Sequence, residues 1–243
     1  MRVFLTIDDA PSDFFRAKID ALKAHKIPAV LFCVGKSMHG DKLTDIVYAI
    51  NQGFIIGNHS YSHPWFSKCE NCIEQIKMTE DLIEEAYKLA GVARPCKLFR
   101  YPFGDMGSHD VQEYLEQNGF ESIAALIGQE IHNCKNDMIE RGTDSGWSFD
   151  IGEYYQMISN KNDEFNFNDM NEVFTRLVDY CAEHSASETI NIMLLHDFNK
   201  THNETFDPIL KILVDSGLEF LDLMDYLPKP SSREKLSSSF KIT

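Results

Sequence analysis

The stretch RVFLTIDD, residues 2–9, places two carboxylates directly after a short apolar run. Runs of this length that are rich in Val, Ile and Phe are typical of strands buried on both faces of a parallel sheet. Comparable runs recur along the chain. They predict seven strands, at residues 3–7, 29–34, 54–57, 98–101, 122–127, 190–195 and 219–221.

Helical segments alternate with these runs. The predicted helices span residues 13–24, 42–52, 68–90, 108–117, 168–184 and 206–215, and glycines at positions 53, 91, 119 and 217 follow four of them as C-terminal stops. Ser12 is expected to cap the first helix, and Ser67 with Glu70 to form a capping box for the third. Strands and helices in alternation predict an α/β fold, and seven strands favour a (β/α) barrel over an open sheet.

Size and composition predict one globular domain. The chain has 243 residues, of which 43% are hydrophobic and 25% are charged, which suits an α/β barrel. We expect residues 1–228 to form this domain and residues 229–243, rich in Ser, Lys and Pro, to form a peripheral tail. The net charge of -15 argues against nucleic acid and anionic membrane surfaces as partners. No apolar run approaches the ~20 residues of a membrane helix.

Residues 128–167 differ from the rest of the chain. This segment is polar, rich in Asn and Asp, and without clear periodicity, so no strand or helix is predicted there. A segment of that length within a compact domain is usually an insertion or an active-site loop.

The start of the chain and its cysteines bear on location. A strand begins almost at Met1, without the basic segment, apolar stretch and cleavage site of an export signal, so we expect a cytoplasmic protein. The six cysteines are therefore expected as free thiols. Cys69 and Cys72 form a C-x-x-C pair, predicted to lie in the first turn of a helix. Because no second pair of Cys or His has similar spacing, we predict neither a metal nor a catalytic role for them.

Polar side chains follow four of the apolar runs. Asp8 and Asp9 follow the first run, NHS (58–60) the third, RYPFG (100–104) closes the fourth, and His196 follows the sixth. In (β/α) barrels the chemistry gathers at the C-terminal ends of the strands. We therefore expect these side chains to share one site.

His59 and His63 are spaced so that one turn can aim both imidazoles at a single point. A carboxylate from the end of a separate strand completes a three-ligand metal site with open positions. An open position holds the water that a hydrolytic metal activates. The set therefore predicts a metal-dependent hydrolase, although the histidine pair alone is as compatible with a structural role.

The motifs also occur together in a known order. The segments TIDD (6–9), HSYSH (59–63), RYPFG (100–104) and LLH (194–196) resemble the polysaccharide deacetylase family, which is carbohydrate esterase family 4 or the NodB-homology domain. The resemblance implies a single-domain, distorted (β/α)7 barrel. It also implies hydrolysis of N-acetyl groups on amino sugars with one divalent metal ion, usually zinc.

The resemblance assigns the chemistry to particular residues. Asp9, His59 and His63 resemble the metal ligands of the family. Asp8 resembles its catalytic base, and His196 its catalytic acid. Zinc is the preferred metal, while Co²⁺, Ni²⁺ and Fe²⁺ suit the same ligand types.

Other motif residues imply supporting roles. Arg100 resembles the residue that holds the base carboxylate, and Phe103 the residue whose backbone N–H stabilises the oxyanion. The fourth family motif, Asp-x-x-Asp-Trp, is altered here, because TDSGW (143–147) is one residue shorter and has Gly in place of the second Asp. Asp144 and Asp150 are the alternative candidates for its role. The substrate end of the site is therefore expected to differ from that of polymer-acting members.

The expected function is metal-dependent deacetylation of an amino sugar or carbohydrate conjugate, with a small or carrier-linked sugar preferred over wall polymer. The expected partner is this N-acylated substrate, with neither nucleic acid nor a membrane span. Two alternatives stay open. One is a deformylase or another small-amide hydrolase on the same scaffold, which the residues in 128–167 would discriminate. The other is a non-catalytic binding module, whose sequence mark, loss of site residues such as Asp8 or His196, is not seen.

Overall fold

The computed structural model describes residues 1–129, 131, 145–153, 169–198 and 205–228. The described strands form one parallel sheet: β1 (Arg2–Ala10), β2 (Ala29–Cys33), β3 (Ile55–Asn58), β4 (Phe149–Asp150), β5 (Ile190–His196) and β6 (Glu219–Phe220). The described α-helices are α1 (Phe15–Ala24), α2 (Asp41–Asn51), α3 (Cys72–Ala90), α4 (His109–Gln117), α5 (Ile123–Ile127), α6 (Met170–Glu183) and α7 (Asp207–Asp215). The sheet order is β3-β2-β1-β5-β4, and β6 pairs with β1.

Strand β1 lies at the centre of the sheet. Strand β5 runs alongside it in parallel up to the pair Asp8↔His196. Strand β2 pairs with the second half of β1, and β6 pairs with its first two residues. Because Asp8 and His196 end the ladder between β1 and β5, these two predicted site residues lie side by side at the carboxyl edge of the sheet.

Side chains along β1 alternate between two apolar layers. Phe4 belongs to the inner layer, together with residues of β2, β3 and β5. The outer layer, which includes residues of α1, α2, α3, α6 and α7, contains Val3, Leu5 and Ile7. Every second side chain of a strand faces the same way, so Thr6 and Asp8 follow Phe4 on the inner face. Both layers are buried, as the apolar composition of the run predicts.

Beyond β3 the sheet continues as isolated bridges. Asn58 pairs with Phe99, and Lys97 pairs with Phe120. Ser145, which precedes β4, donates its backbone N–H to the Phe99 C=O at 3.0 Å. The ladders of the described residues do not close the ring, but this contact brings its two ends together. The result is the distorted (β/α)7 barrel predicted from the sequence.

The predicted strand at residues 122–127 is wrong. These residues form helix α5, because the Ser122 hydroxyl accepts a hydrogen bond from the Ala125 N–H at 3.0 Å and so caps a helix. Gly128, with φ of 62°, ends the helix. In a short apolar run, periodicity alone does not separate a strand from a buried helix.

The structure contains a strand, β4, that the sequence analysis does not predict. Phe149 and Asp150 pair with neighbouring residues of β5, inside the segment 128–167 where no strand is predicted. A strand of two residues is too short to show alternation. The predicted strand at 98–101 is present only as the bridge that Phe99 makes to β3.

The two predicted helix caps are wrong. Helix α3 begins later than predicted, and the Ser67 hydroxyl donates to Asp105 at 2.9 Å instead of forming a capping box. Helix α1 begins at Phe15, and the Ser12 hydroxyl donates to Asp197 at 2.7 Å. In both cases the serine hydroxyl that the local pattern assigns to a cap donates a hydrogen bond to a carboxylate from a distant part of the chain.

The described cysteines are free thiols, as predicted. Cys72 is the first residue of α3 and Cys69 precedes the helix, so the pair does not lie together in its first turn. Cys134 lies outside the described residues. The expected lack of a metal or catalytic role for the pair stays a prediction.

Three further predictions concern the ends of elements and of the chain. The glycine stops at positions 53, 91, 119 and 217 are confirmed, since each has a positive φ. Within the described residues, no helix combines the length and the apolar composition that crossing a bilayer requires. Residues 229–243 lie outside the described residues, so the boundary after residue 228 stays a prediction.

Candidate active site

Arg100 holds Asp8 inside the barrel. Its guanidinium donates to Asp8 Oδ1 and to Thr6 Oγ1, each at 2.8 Å. It also donates to the backbone C=O groups of Ser145 and Gly146, at 2.5 and 3.1 Å. Because the side chain is 1% exposed and all three of its nitrogens are bonded, Arg100 has one orientation. The Asp8 carboxylate is held with it.

Asp8 is held in its ionised form. Burial alone raises the pKa of Asp8, but the neighbouring Arg100, His59 and His196 outweigh burial and bring the pKa below its ordinary value. An ionised carboxylate accepts a proton at neutral pH, which is what a general base requires.

Asp9, His59 and His63 converge on one point. Asp9 Oδ1 lies 3.2 Å from His63 Nε2 and 3.7 Å from His59 Nε2. Donor atoms bound to one zinc ion at ~2.1 Å lie about 3.4 Å apart in a tetrahedron. One ligand atom from each residue lies within 4.8 Å of the others. The spacing of these three atoms therefore fits a single metal ion.

Both histidines are in the form that binds a metal. Burial is the largest influence on each, and it lowers the pKa of His59 and brings the pKa of His63 to about 4. His59 Nδ1 lies 2.8 Å from the Arg100 C=O. A proton on Nδ1 that donates to this carbonyl leaves the lone pair of Nε2 facing Asp9. Neutral imidazole is the ligand form of histidine.

The site contains an unusual concentration of left-handed backbone. Five described non-glycine residues have a positive φ, and four of them belong to the site. These four, with φ between 56° and 64°, are Asp9, Ser60, His63 and Phe103. Such conformations cost of order 1–3 kcal/mol each and persist only where the surrounding structure holds them.

Helix α3 supports the loop that carries both histidines. The Asn58 amide donates to the Ile76 C=O at 2.9 Å and to Glu80 at 3.2 Å, and its Oδ1 accepts the Ser60 N–H at 2.9 Å. Gln75 accepts another backbone N–H of the same loop at 2.8 Å. The loop conformation therefore depends on buried contacts with α3.

His196 lies against a buried carboxylate that the sequence analysis missed. Glu153 accepts the backbone N–H of His196, and Glu153 Oε1 lies 3.2 Å from His196 Nδ1. Burial alone lowers the pKa of His196, but Glu153 outweighs burial, and the pKa is raised to about 10. His196 is therefore an imidazolium at neutral pH and carries a proton that it can donate.

Of the two candidates for the altered fourth motif, Asp144 and Asp150, the structure describes only Asp150. Asp144 lies outside the described residues. Asp150 lies on β4, and its carboxylate forms a cluster with Glu153 and His196, with ligand atoms within 4.8 Å of one another. Glu153 Oε1 faces the imidazole at Nδ1. No motif marks it in the sequence, and its only signal is an acidic residue soon after Asp150.

An exposed aromatic pair lies beside His63. The rings of Trp65 and Phe103 stack with centroids 4.2 Å apart and an angle of 8° between their planes. The Phe103 ring also contacts His63, with centroids 4.4 Å apart. Both side chains are about half exposed, at 48% and 52%. Trp147, in contrast, packs against the inner apolar layer.

Comparison with known proteins identifies the family. Residues 1–123 match the family model described as polysaccharide deacetylase. The chain belongs to the polysaccharide deacetylase family. The matched residues include Asp8, Asp9, His59, His63 and Arg100, whereas the strand that ends at residue 196 lies beyond them.

Two curated relatives match shorter stretches. The peptidoglycan-N-acetylglucosamine deacetylase of Bacillus cereus is 38% identical over 120 residues, which is 48% of this chain and 41% of that protein. The chitooligosaccharide deacetylase of Sinorhizobium fredii is 29% identical over 122 residues, which is 50% of this chain and 55% of that protein. The chain thus matches about half the length of these relatives.

Solved structures share the fold over most of the chain. The structure of the peptidoglycan deacetylase PdaC from Bacillus subtilis has a TM-score of 0.61 and 21% identity, and covers 93% of this chain and 89% of that chain. At this identity the likeness concerns the fold alone. It confirms the α/β barrel class predicted from the sequence.

Proposed function

We propose that this protein hydrolyses the N-acetyl amide of an amino sugar or carbohydrate conjugate with the help of one divalent metal ion. The observation that supports this most directly is the meeting of three kinds of group at one edge of the barrel. These are the ionised carboxylate of Asp8, the metal-ligand triad Asp9, His59 and His63, and the protonated imidazole of His196. Amide hydrolysis needs a base, an electrophile and an acid.

Asp9, His59 and His63 are the proposed metal ligands. Two neutral nitrogens and one carboxylate oxygen suit zinc, and the same set suits Co²⁺, Ni²⁺ and Fe²⁺. When bound, the metal ion would polarise the amide carbonyl and make a water molecule more acidic. The lowered pKa of both histidines supports this role, because neither has to lose a proton at neutral pH to bind.

Asp8 is the proposed general base. Asp8 Oδ2 lies 3.6 Å from His59 Nε2, so the carboxylate borders the triad of Asp9, His59 and His63. Arg100 holds the other oxygen, Oδ1, at 2.8 Å. The oxygen nearer the triad is therefore the one that accepts the proton of the attacking water.

His196 is the proposed general acid. The amine of the sugar leaves only if its nitrogen gains a proton, and His196 holds that proton at neutral pH. The backbone N–H of Phe103 is proposed to donate to the amide oxygen as this oxygen gains negative charge. A donor of this kind contributes roughly 3–4 kcal/mol to catalysis.

An amino sugar is the proposed substrate class. The curated relatives are named as deacetylases of peptidoglycan N-acetylglucosamine and of chitooligosaccharide, whose shared feature is an N-acetylated amino sugar. The exposed, stacked rings of Trp65 and Phe103 support a sugar ligand, because aromatic rings offer a rigid apolar face beside His63. The preference for a small or carrier-linked sugar and the cytoplasmic location stay predictions, which substrate profiling and cell fractionation test.

An assay for released acid tests the proposed function. Metal-loaded protein is incubated with N-acetylglucosamine, chitooligosaccharides, nucleotide-linked N-acetylglucosamine and peptidoglycan fragments, and acetate is measured. Acetate release that disappears with a chelator supports the proposal. Release of formate from N-formyl analogues but no acetate would favour a deformylase instead. No released acid from any of these substrates, with metal bound, would favour a binding module.

A further inference from the structure

A buried ion pair lies behind the site, between helix α1 and the residues that follow β5. Lys18 Nζ lies 2.6 Å from Asp197 Oδ1, and the two side chains are 2% and 1% exposed. Lys18 also donates to the Phe198 C=O at 3.0 Å, and its ammonium lies 5.4 Å from the centre of the Phe206 ring. A charge so deeply buried needs all of these partners, because leaving it unpaired is strongly unfavourable.

The Asp197 carboxylate binds Ser12, which follows the end of β1 and lies three residues after Asp9. Ser12 donates its backbone N–H to Asp197 Oδ2 and its hydroxyl to Oδ1, each at 2.7 Å. The backbone N–H of Asp197 donates to the Asp8 C=O at 2.8 Å. Asp9 therefore lies between two residues, Asp8 and Ser12, that are both hydrogen-bonded to Asp197. Its φ of 62° is a conformation that persists only where the surroundings hold it.

The same ion pair is also linked to His196, through the two residues that follow it in the chain. Asp197 follows His196 directly, and the Phe198 ring is parallel to the His196 ring, with centroids 5.4 Å apart and an angle of 1° between the planes. Because Lys18 holds the Phe198 carbonyl, it restrains the residue whose ring faces the imidazole.

We propose that Lys18 and Asp197 are a positioning pair, which holds the metal ligand Asp9 and the proton donor His196 at one fixed separation. The pair acts through Ser12 and Phe198, and neither of its side chains belongs to the site itself. This inference rests on the function proposed above. Loss of the pair should weaken metal binding and slow turnover, while KM changes little because the substrate contacts remain.

A charge-neutral double variant tests this role. Lys18→Met with Asp197→Asn keeps side chains of similar size and leaves no unpaired buried charge. Zinc affinity is measured by competition with a chelating dye, and kcat and KM by acetate release. We expect a Kd for zinc that is about 10–100-fold higher than in the parent, since residues that orient metal ligands have effects of this size. We expect kcat to fall by a similar factor.

A second double variant, whose cation lies on the same helix α1 and whose carboxylate lies on α2, is the matched control. Arg16→Met with Asp45→Asn removes an ion pair of 3.1 Å whose side chains are 51% and 25% exposed. Exposed pairs of this kind contribute little. Zinc affinity, kcat and KM should therefore stay at the parental values in the control.

The outcomes are distinct. A pair with a purely structural role would lower the melting temperature and leave the zinc Kd and kcat unchanged, and this result would overturn the proposal. If the Lys18→Met, Asp197→Asn protein does not fold, Ser12→Ala is the test, because it deletes the hydroxyl bond to Asp197 and keeps the Lys18–Asp197 pair; the other bond it removes is the local one from the Phe14 N–H. Zinc binding weakened several-fold in that variant supports the proposal, and unchanged binding overturns it. A folded parent that binds no zinc contradicts the proposed function instead.

Discussion

At the scale of single residues, two adjacent carboxylates have different surroundings. Asp8 is extended in β1 and faces Arg100, whereas Asp9 has left-handed backbone and faces His59 and His63. The change of backbone conformation between the two residues gives Asp8 the ion pair with Arg100 and Asp9 the contact with His63, while both carboxylates border His59. This separation explains how neighbouring residues with the same side chain can serve as a base and as a metal ligand.

Replacing Asp8 separates these two roles. Asp8→Asn should keep the metal ion, because Asp9 is unchanged, and should lose hydrolysis by ~10²–10⁴-fold, because an amide does not accept the proton of the water. Metal content and kcat of the purified variant are the measurements. Near-parental turnover would contradict the role of Asp8 as base, and loss of the metal would show that Asp8 is a ligand.

Replacing Glu153 tests the charge on His196. In the parent the pKa of His196 is raised to about 10, so the acid stays protonated across the neutral range and activity falls only as pH rises through that value. In Glu153→Gln the largest raising influence is lost, while burial still lowers the pKa of His196 and Asp150 and Asp9 still raise it. The alkaline limb of the kcat/KM profile should therefore move to lower pH. An alkaline limb at the same pH in both proteins would exclude Glu153 as the cause.

The sequence allowed the prediction of most of these residues, but not of Glu153. Asp8, Asp9 and His196 each end an apolar run, and His59 and His63 share one turn, so local spacing marks them. The contact between Glu153 and His196 arises only because β4 pairs with β5. No local pattern in residues 128–167 predicts the pairing of β4 with β5.

At the scale of secondary structure, the long buried strands β1 and β5 were predictable, and so were β2, β3 and β6, whereas β4 and helix α5 were not. Strand β1 and strand β5 bury both faces and are therefore apolar along most of their length. The run 122–127 is just as apolar, but it contains a helix that is capped at its N-terminus, where the Ser122 hydroxyl accepts the Ala125 N–H. Strand β4 has two residues, so tertiary contacts alone define it.

The packing of β2 against β3 predicts the effect of a single methyl group. A Cβ added to Gly57 would lie 2.6 Å from the Phe32 ring, and that ring packs 4.3 Å from the Arg100 guanidinium. Gly57→Ala should therefore lower the free energy of unfolding by about 1–3 kcal/mol, as overpacked cores do. It should also lower kcat, because Arg100 holds Asp8.

Urea unfolding and acetate release measure both effects of Gly57→Ala. Ser122→Ala is a useful comparison, because it removes the cap of α5 and should lower the free energy of unfolding by about 1 kcal/mol. Turnover should stay parental in the Ser122 variant. If Gly57→Ala lowers stability and leaves kcat unchanged, the link from Phe32 through Arg100 to Asp8 is wrong.

At the scale of the whole molecule, the site joins parts of the chain that are far apart in sequence. Asp8 and Asp9 come from β1, the two histidines from the loop after β3, and His196 from β5. A ligand that binds these groups only in the folded chain stabilises the fold as a whole. Metal binding and folding are therefore coupled.

This coupling predicts a metal-dependent melting temperature. Zinc at about one hundred times its Kd should add ~2.7 kcal/mol to the free energy of unfolding. Thermal unfolding with zinc and with a chelator measures the difference. In a His59→Ala, His63→Ala variant the difference should vanish, and an equal rise in both proteins would place the metal elsewhere.

We propose that deacetylation requires one metal ion held by Asp9, His59 and His63. The most direct test of this claim is a zinc titration of the metal-free protein, followed by the rate of acetate release from a chitooligosaccharide. We predict that the rate rises from near zero and levels off at about one zinc ion per chain, as expected for a site with a single metal. Full activity of the metal-free protein, or a rate that zinc does not change, would contradict the claim.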